Sequence, residues 1–375
     1  MPDKRTVYTT GDHPNGVLLK FVADRPGDLS SGALSAIKLS NQRSDADGRP
    51  TWDVAWVELG RGNQRDLDRL VYSGLKFADM FEVAQPSGSP PKCPPGFSAT
   101  NHPSLIYQHV DSATFASYHM ECLKIKAGME TPAAFFESRR VAAIKGATTE
   151  FEKQDGLTWS PRYRQLYFAD TRIAKGMTSD SQFNYASQDA IRLRENACGG
   201  LFAIDLDAGY SGTLAKLILG GDSLGIASDV KRCSSNNVRD PEKTEYVAGN
   251  LLIQEGSEAR DEAIMWAYNL EDGSLTKILS APMGTELTGI GANRIGDSAY
   301  LTFTVQQPQA AKGAAPARGQ MGYIGPLPAD ALSDKFTLKF SPVAGAGTGG
   351  RIQATAKVCI APAKAGRPKA PGAAR

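Results

Sequence analysis

Histidine is scarce in this 375-residue chain, and the four that occur, His13, His102, His109 and His119, lie far apart in the sequence. This scatter leaves a histidine-based zinc site without support. The five cysteines form no C-x-x-C pair, so a zinc finger and a thioredoxin-type site are equally unsupported. The sequence also lacks a P-loop, a G-x-S-x-G motif and the EF-hand pattern of calcium loops.

Concentrated charge and long apolar runs are also absent. A formal net charge of +2 argues against nucleic acid as the main partner, because a nucleic-acid binder needs a concentrated basic face. No apolar run approaches the ~20 residues of a membrane span. Residues 1–16 contain no apolar core of a signal peptide. We therefore expect either an intracellular protein or a sequence without its natural start.

The odd number of cysteines allows at most two disulfides and leaves one thiol. The five are Cys93, Cys122, Cys198, Cys233 and Cys359. Cys198 and Cys233 both lie in loop-like sequence and could pair, although their spacing alone does not decide it.

Turn-forming residues are abundant, and apolar strands recur between them. With 38 glycines and 22 prolines the chain favours many turns and short strands over long helices. An apolar strand ending near an acid is followed by an alternating strand in three places: Gly16–Asp24 with Gly32–Leu39, Gln165–Asp170 with Gly199–Leu206, and Asn250–Gly256 with Ala263–Leu270. Repeated strand pairs predict the blades of a β-propeller. An ordinary multi-sheet α+β enzyme is the alternative.

The predicted fold class is all-β, with a β-propeller domain over residues 1–330. At ~40–50 residues per blade, residues 1–308 would hold about five blades, so the ring could be incomplete. Short helical inserts are predicted over Asp66–Phe81 and from Thr131 to the glycine at Gly146. Residues 331–375 form an Ala/Gly/Pro-rich basic tail that we expect to be mostly disordered.

The segment Phe135–Pro161 places carboxylates and basic groups where a loop meets a strand. Lys153 and Asp155 stand two residues apart, and in extended backbone such residues point the same way. Asp155 could then hold a metal ion while Lys153 holds an anionic oxygen. A surface ion pair that leads into a turn is the alternative.

Further candidates lie on a helix and in a polar loop. Glu137 and Arg140 are spaced i, i+3, which is typical of a helix salt bridge. Arg139 and Arg140 could instead clamp a phosphate by bidentate hydrogen bonds. Asp189 and Asn196 lie in a loop that either offers oxygen ligands to calcium or is simply solvated.

Two more loops, Cys233–Lys243 and Gln254–Glu262, are dense in oxygen-bearing side chains. Calcium takes six to eight oxygen ligands, so both loops could contribute to a calcium site. A solvated charged loop is the alternative in each case.

At these residues the chain resembles the PhoX-type phosphatases, a group of calcium-dependent alkaline phosphatases with a β-propeller fold. The similarity runs from about Val7 to Leu327 and rests above all on FESRRVAAIKGATTEFEKQDG (Phe136–Gly156). Shorter motifs support it: YTTGD, ECLKIKAGME, DAIRLREN, CSSNNVRDPE, NLLIQE, MWAYNL and GYIGPLP.

The resemblance implies hydrolysis of small-molecule phosphate monoesters by a cluster of calcium and iron ions at a central channel. By motif position, Asp155 stands where the family has a metal-binding glutamate, and Lys153 where a basic residue contacts the phosphate. Glu242 stands where the family has an aspartate ligand, and Glu255 is a further metal candidate. The resemblance also implies a secreted or periplasmic protein.

The chain departs from the family pattern at several of these positions. Asp155 is one methylene shorter than glutamate, Lys243 replaces an amide beside the supposed ligand, and Gly256 stands where an acid is usual. The family's upstream segment, which carries an iron-binding cysteine, has no counterpart. We therefore expect an N-terminally truncated or diverged relative. The rival hypotheses are a non-catalytic propeller that binds a partner, and a one-calcium propeller hydrolase of lactones or phosphotriesters.

Overall fold

The structure is a computed structural model that describes residues 1–88, 91–101, 120–178, 189–225, 227–256, 262–282, 284–306, 319–342, 353–354 and 356–362. Within these ranges the chain is mostly β, and its strand pairs are antiparallel. The expected all-β class is therefore confirmed at this level. The α-helices described within these ranges all lie between residues 64 and 144.

The strands are, in chain order, β1 (Thr6–Thr9), β2 (Pro14–Gly16), β3 (Leu19–Arg25), β4 (Asp28–Ser44), β5 (Pro50–Asn63), β6 (Phe81–Ala84), β7 (Ser98–Asn101), β8 (Met120–Ile125), β9 (Phe151–Glu152), β10 (Gln154–Ser160), β11 (Gln165–Asp170), β12 (Gly200–Leu206), β13 (Gly212–Gly220), β14 (Pro241–Val247), β15 (Asn250–Glu255), β16 (Ala263–Asn269), β17 (Leu275–Ala281), β18 (Glu286–Ile295), β19 (Ser298–Gln306), β20 (Gln320–Pro328), β21 (Phe336–Pro342), β22 (Gln353–Ala354) and β23 (Ala356–Pro362). Every strand expected from the repeated sequence pairs is present.

Among the described residues, four short helices stand where two were predicted: α1 (Gln64–Tyr72), α2 (Phe77–Met80), α3 (Glu130–Phe136) and α4 (Ser138–Ile144). The first predicted helix breaks because Gly74 follows α1 with a left-handed backbone, φ +79°. The second breaks at Glu137, whose φ of −132° and ψ of 42° lie outside the helical region. Single turns of 3₁₀-helix occur at Lys175–Met177 and Val230–Arg232.

The strands form three larger sheets and three small ones. The largest has the order β1-β3-β4-β5-β13-β12-β11-β10, the second β14-β15-β16-β17-β22, and the third β18-β19-β20. In three runs, each strand therefore pairs with its neighbours in sequence. These runs are β10 to β13, β14 to β17 and β18 to β20. The small sheets are β2-β9, β6-β8-β7 and β21-β23.

The first strands of these three runs lie side by side, since β14 packs against both β10 and β18. The backbone N–H of Tyr246 donates to Thr158 Oγ1 at 3.0 Å. Two residues earlier in each strand, a Cβ at Gly156 would lie 2.2 Å from the backbone N of Thr244. The contacts advance together along both strands, so β10 and β14 run in the same direction. Gly156 allows this approach, and its φ of +60° also favours glycine.

Burial explains why several strands are apolar along their whole length. Every residue of β11, β15 and β16 is buried, so both faces of these strands pack against other elements. In the core beneath β11, the rings of Phe168 and Phe202 stack at 5.2 Å with an interplanar angle of 6°. A second core lies between the β14–β17 and β18–β20 sheets.

The expectation of a mostly disordered tail over residues 331–375 does not hold for residues 336–342 and 356–362. β21 and β23 pair along seven residues, from Phe336↔Pro362 to Pro342↔Ala356. Leu338 is fully buried, and its backbone N–H donates to Ala248 O at 3.1 Å. The cause is the alternating sequence of Phe336–Phe340, which supplies one apolar face despite the low-complexity composition around it.

The described residues contain two disulfides: Cys93–Cys122 links a loop to β8, and Cys198–Cys233 links two loops. The second is the pairing that the sequence left open. Disulfides persist mainly in oxidising compartments. Among the described residues, no helix has both the length and the apolar character needed to cross a membrane.

Candidate functional site

Carboxylates from three neighbouring strands meet near the starts of β10, β14 and β18. Asp155 is the second residue of β10, Glu242 the second of β14, and Glu286 the first of β18. We define the acidic cluster as Asp12, Lys153, Asp155, Asp240, Glu242, Lys243 and Glu286. These groups interact electrostatically. The charges that act on Glu242 are those of Asp240, Lys153, Glu286 and Asp155. The charges that act on Glu286 are those of Lys243, Lys153, Asp155 and Asp12.

Glu242 is a strongly perturbed group of the acidic cluster. Burial raises its pKa to about 8, and the negative charge of Asp240 contributes to the shift. Burial also raises the pKa of Glu286, although Lys243 and Lys153 oppose that change. The repulsion among these carboxylates would be relieved by a bound cation.

Two lysines stand among the carboxylates. Lys243 Nζ forms an ion pair with Asp155 Oδ1. Lys153 Nζ lies 3.6 Å from Asp12 Oδ1, and the Lys153 side chain is 27% exposed. Because both lysines are partly exposed, their ammonium groups are accessible to an anion from solvent as well as to the neighbouring acids.

Asp240 and Glu242 come together where Gly256 leaves space. A Cβ on Gly256 would lie 2.5 Å from Asp240 Oδ2 and 2.8 Å from Glu242 Oε1. The backbone N–H of Gly256 donates to Asp240 O at 2.8 Å, which fixes the approach. Gly256 therefore makes room for two carboxylates.

Two residues of the acidic cluster have a left-handed backbone, Lys153 with φ +57° and Asp240 with φ +49°. The prediction that Lys153 and Asp155 share a face of an extended strand therefore fails in its geometry, because Lys153 separates β9 from β10. The conformation is held by Lys153 N–H donating to His13 O at 3.2 Å and by Asp240 N–H donating to Cys198 O at 3.2 Å. Strained non-glycine residues of this kind concentrate at functional sites.

Glu255, a predicted metal ligand, is engaged elsewhere. Its carboxylate is fully buried and lies 3.3 Å from Arg239 Nε. Trp266 Nε1 donates to Glu255 Oε1 at 2.7 Å, and the Ile264 N–H donates to Oε2 at 3.1 Å. The structure thus makes Glu255 the buried counter-ion of Arg239 and does not bring it into the acidic cluster.

The predicted phosphate clamp also has another role in the structure. Arg140 makes a two-pronged contact with Glu121, at 2.9 and 3.0 Å, and a third bond to Glu137 at 2.6 Å. Arg139 donates to the backbone O of Asn101 at 3.2 Å, and burial lowers its pKa to about 10. Both arginines tie α4 to the β6-β8-β7 sheet, and no contact found within the described ranges joins them to the acidic cluster.

Asn196 serves its own loop, since Nδ2 donates to Gly221 O at 2.8 Å and Oδ1 accepts from the Cys198 N–H at 3.0 Å. Asp189 begins the same polar stretch with a left-handed backbone, φ +55°. Next to it, buried Glu150 accepts the N–H groups of residues 190 and 191 at 2.9 and 2.6 Å. The structure therefore does not bring Asp189 and Asn196 together with Glu242.

Sequence reasoning missed Asp12, Asp240 and Glu286. A signal was present for each: Asp12 ends the motif YTTGD, Asp240 precedes the proline before Glu242, and Glu286 opens an alternating strand. The convergence of these carboxylates could have been predicted from acids that stand at the first or second position of successive strands, as Asp155 does. The pairing order of the strands is needed to bring them together, and no local sequence pattern supplies it.

Two comparisons bear on the identity of this site. The chain matches no model of a known protein family, and no curated protein matches it. Across the ranges that the structure describes, no three or more His, Cys, Asp and Glu side chains are already arranged to hold a metal ion.

Proposed function

We propose that this chain is a calcium-dependent phosphomonoesterase whose site is the acidic cluster. The observation that carries the proposal is the convergence of Asp155, Glu242 and Glu286 from three adjacent strands, with Lys153 and Lys243 among them. Mixed carboxylates and ammonium groups suit a substrate that is a dianionic phosphate balanced by divalent cations. The resemblance to PhoX-type phosphatases points to the same chemistry.

The donor set of the acidic cluster fits calcium. Its four strand-associated acids, Asp155, Asp240, Glu242 and Glu286, offer only oxygen, the ligand that calcium prefers. Burial, together with the negative charge of Asp240, raises the pKa of Glu242 to about 8, which gives a physical reason for a cation there. The cluster contains no thiolate or imidazole, so it gives no specific support to iron. Calcium would supply Lewis acidity toward the phosphoryl oxygens.

The lysines would bind and orient the substrate. Lys243 now pairs with Asp155, and a phosphoryl oxygen could take the place of that carboxylate. Lys153, held in a left-handed backbone between β9 and β10, points its ammonium toward Asp12. Phosphate monoesters would thus be held between two cations of the protein.

The proposal includes the architecture. We infer that the β10–β13, β14–β17 and β18–β20 runs are blades of a propeller, with β10, β14 and β18 innermost. Their side-by-side packing and the common direction of β10 and β14 support this. The two disulfides fit an oxidising compartment, and we infer export from the cytoplasm.

Hydrolysis of p-nitrophenyl phosphate by the purified chain tests this function. We expect release in the presence of calcium and its loss on chelation. Glu242→Gln should reduce kcat/KM by about 100-fold or more, since removal of one key electrostatic group typically has that effect. Glu58→Gln is the matched control, because Glu58 is exposed and lies on β5. Absence of release in calcium, with and without added iron, would overturn the proposal.

The alternative is a non-catalytic propeller that binds a partner. The specific observation in its favour is the ion pair between Lys243 and Asp155, because an internal cation already neutralises the predicted ligand. Elemental analysis of the purified protein separates the two: bound calcium supports the enzyme, and a folded protein free of metal supports the binding module.

A further inference from the structure

We propose that a cavity beside the β10–β11 turn binds a small aromatic anion, an arene carboxylate or sulfonate. This hairpin cavity has a volume of about 460 Å³, and its walls include residues from Arg162 to Tyr167. A volume of several hundred Å³ is typical of ligand sites. Asp155 lies at the opposite end of β10, so the hairpin cavity is separate from the acidic cluster.

The lining of the hairpin cavity is rich in cations and hydrogen-bond donors. Four of its side chains are basic: Arg49, Arg162, Arg164 and Lys216. Its acid, Asp205, already accepts from Gln165 Nε2 at 2.5 Å. The amide oxygen of Gln165 in turn accepts from the Tyr167 hydroxyl at 2.6 Å. Because Asp205 and the Gln165 amide oxygen already accept hydrogen bonds, a ligand would have to supply the acceptors for the basic side chains of the cavity.

Two of the four basic groups are not held in close ion pairs with carboxylates. Arg49 is committed to Asp45 and Asp47, both at 2.8 Å, and Arg162 pairs with a buried glutamate. Arg164 donates to the backbone O of Asp207 and has no carboxylate partner among the described residues. Lys216 and Asp205 are 3.6 Å apart, a long ion pair. Arg164 and Lys216 are thus the groups that would face an anion.

Two tyrosines supply further donors and an aromatic wall. The hydroxyl of Tyr163 is buried with no hydrogen-bond partner among the described residues. Tyr268, which also lines the hairpin cavity, is 1% exposed. Burial raises the pKa of both to about 12, so both remain donors at neutral pH. The buried Tyr163 hydroxyl is a costly donor without a partner, and a ligand oxygen that reached it would satisfy it.

Apolar side chains complete the walls and indicate the body of the ligand. Leu206, Ile218 and Leu270 line the hairpin cavity beside the tyrosine rings. Flat apolar walls favour an aromatic group, while the donors select a negative charge on it. A free inorganic anion would leave these apolar walls in contact with water.

Fluorescence titration with 1-anilinonaphthalene-8-sulfonate tests the proposal, because this probe joins an aromatic body to a sulfonate. We expect saturable binding of one probe per chain. N-phenyl-1-naphthylamine, which lacks the sulfonate, should bind about tenfold more weakly or worse. Lys216→Met and Arg164→Gln should each weaken binding of the sulfonate by about tenfold, since each removes a charge-assisted hydrogen bond.

Lys339→Met is the matched control. Lys339 Nζ pairs with Asp272 at 3.2 Å nearby but does not line the hairpin cavity. Near-UV circular dichroism verifies that each variant is folded. The proposal fails if the uncharged probe binds as tightly as the sulfonate, if neither lining variant weakens binding, or if Lys339→Met weakens it equally.

Discussion

At the scale of single residues, the acidic cluster depends on a missing side chain. Gly256 has no Cβ, and the space that a Cβ would fill holds Asp240 Oδ2 and Glu242 Oε1. Asp240 also adopts a left-handed backbone, φ +49°, that few residues tolerate. Two unfavourable arrangements, crowded carboxylates and a strained backbone, thus occur at one point, as expected where function outweighs stability.

Gly256→Ala tests this arrangement. The added methyl group would lie under 3 Å from both carboxylates, so one of them must move. We expect a loss of about 1–3 kcal/mol in the free energy of unfolding, typical of overpacking, together with weaker calcium binding. Urea denaturation and calcium titration measure the two effects. Gly209→Ala, which meets its nearest atom at 3.4 Å, is the control and should change neither.

The pH dependence of stability tests the crowding at Glu242. Its pKa rises from 4.5 to about 8 on folding. Between pH 4.5 and 8 the folded state therefore keeps a proton on Glu242 that the unfolded state has lost. This group therefore makes metal-free protein less stable as pH rises from about 4.5 to 8, by up to ~1.4 kcal/mol per pH unit.

Glu242→Gln should flatten that part of the dependence, measured as the urea midpoint at pH 5, 6, 7 and 8 without calcium. Glu58→Gln should leave the profile as in the wild type. An unchanged profile in Glu242→Gln would show that Glu242 is ionised in the folded protein.

At the scale of elements, strands were predictable and their junctions were not. Fully buried strands such as Gln165–Asp170 are apolar throughout, so composition and length identify them. Glu137 interrupts the segment that was predicted as one helix, because its backbone dihedrals lie outside the helical region. Likewise, nothing in the local sequence predicts that Lys153 leaves the extended region. Low-complexity composition concealed the alternation of β21.

The disulfide Cys198–Cys233 is the element that supports Asp240. The backbone O of Cys198 accepts from the Asp240 N–H at 3.2 Å, and the bridge fixes the loop before β12. We expect the Cys198→Ser/Cys233→Ser double variant to lose about 2–5 kcal/mol of stability and most of its calcium affinity. Thermal melts and calcium titration measure both.

The second disulfide provides the control. Cys93→Ser/Cys122→Ser removes a bridge in the β6-β8-β7 region, away from the acidic cluster. This variant should lose stability and keep its calcium affinity. Equal losses of affinity in both double variants would mean that the Cys198–Cys233 bridge has no particular role at the site.

At the scale of the whole molecule, the site arises from the order in which the sheets pack. Asp155 and Glu242 were predicted from their sequence, and the structure brings them together because β10 and β14 run side by side. Glu255 was predicted by the same reasoning and lies elsewhere, because successive residues of a strand face opposite ways and its carboxylate meets Arg239. Sequence thus indicates which strands carry acids, while packing decides which acids meet.

Calorimetric titration of calcium into metal-stripped protein at pH 8 tests the central claim most directly, because every step of the account requires a cation at the acidic cluster. We predict saturable binding in the wild type and in Glu58→Gln. In Glu242→Gln and Glu286→Gln the affinity should fall at least about tenfold, the loss typical of an altered metal site. No binding by the wild type, or binding unchanged in both cluster variants, would contradict the account.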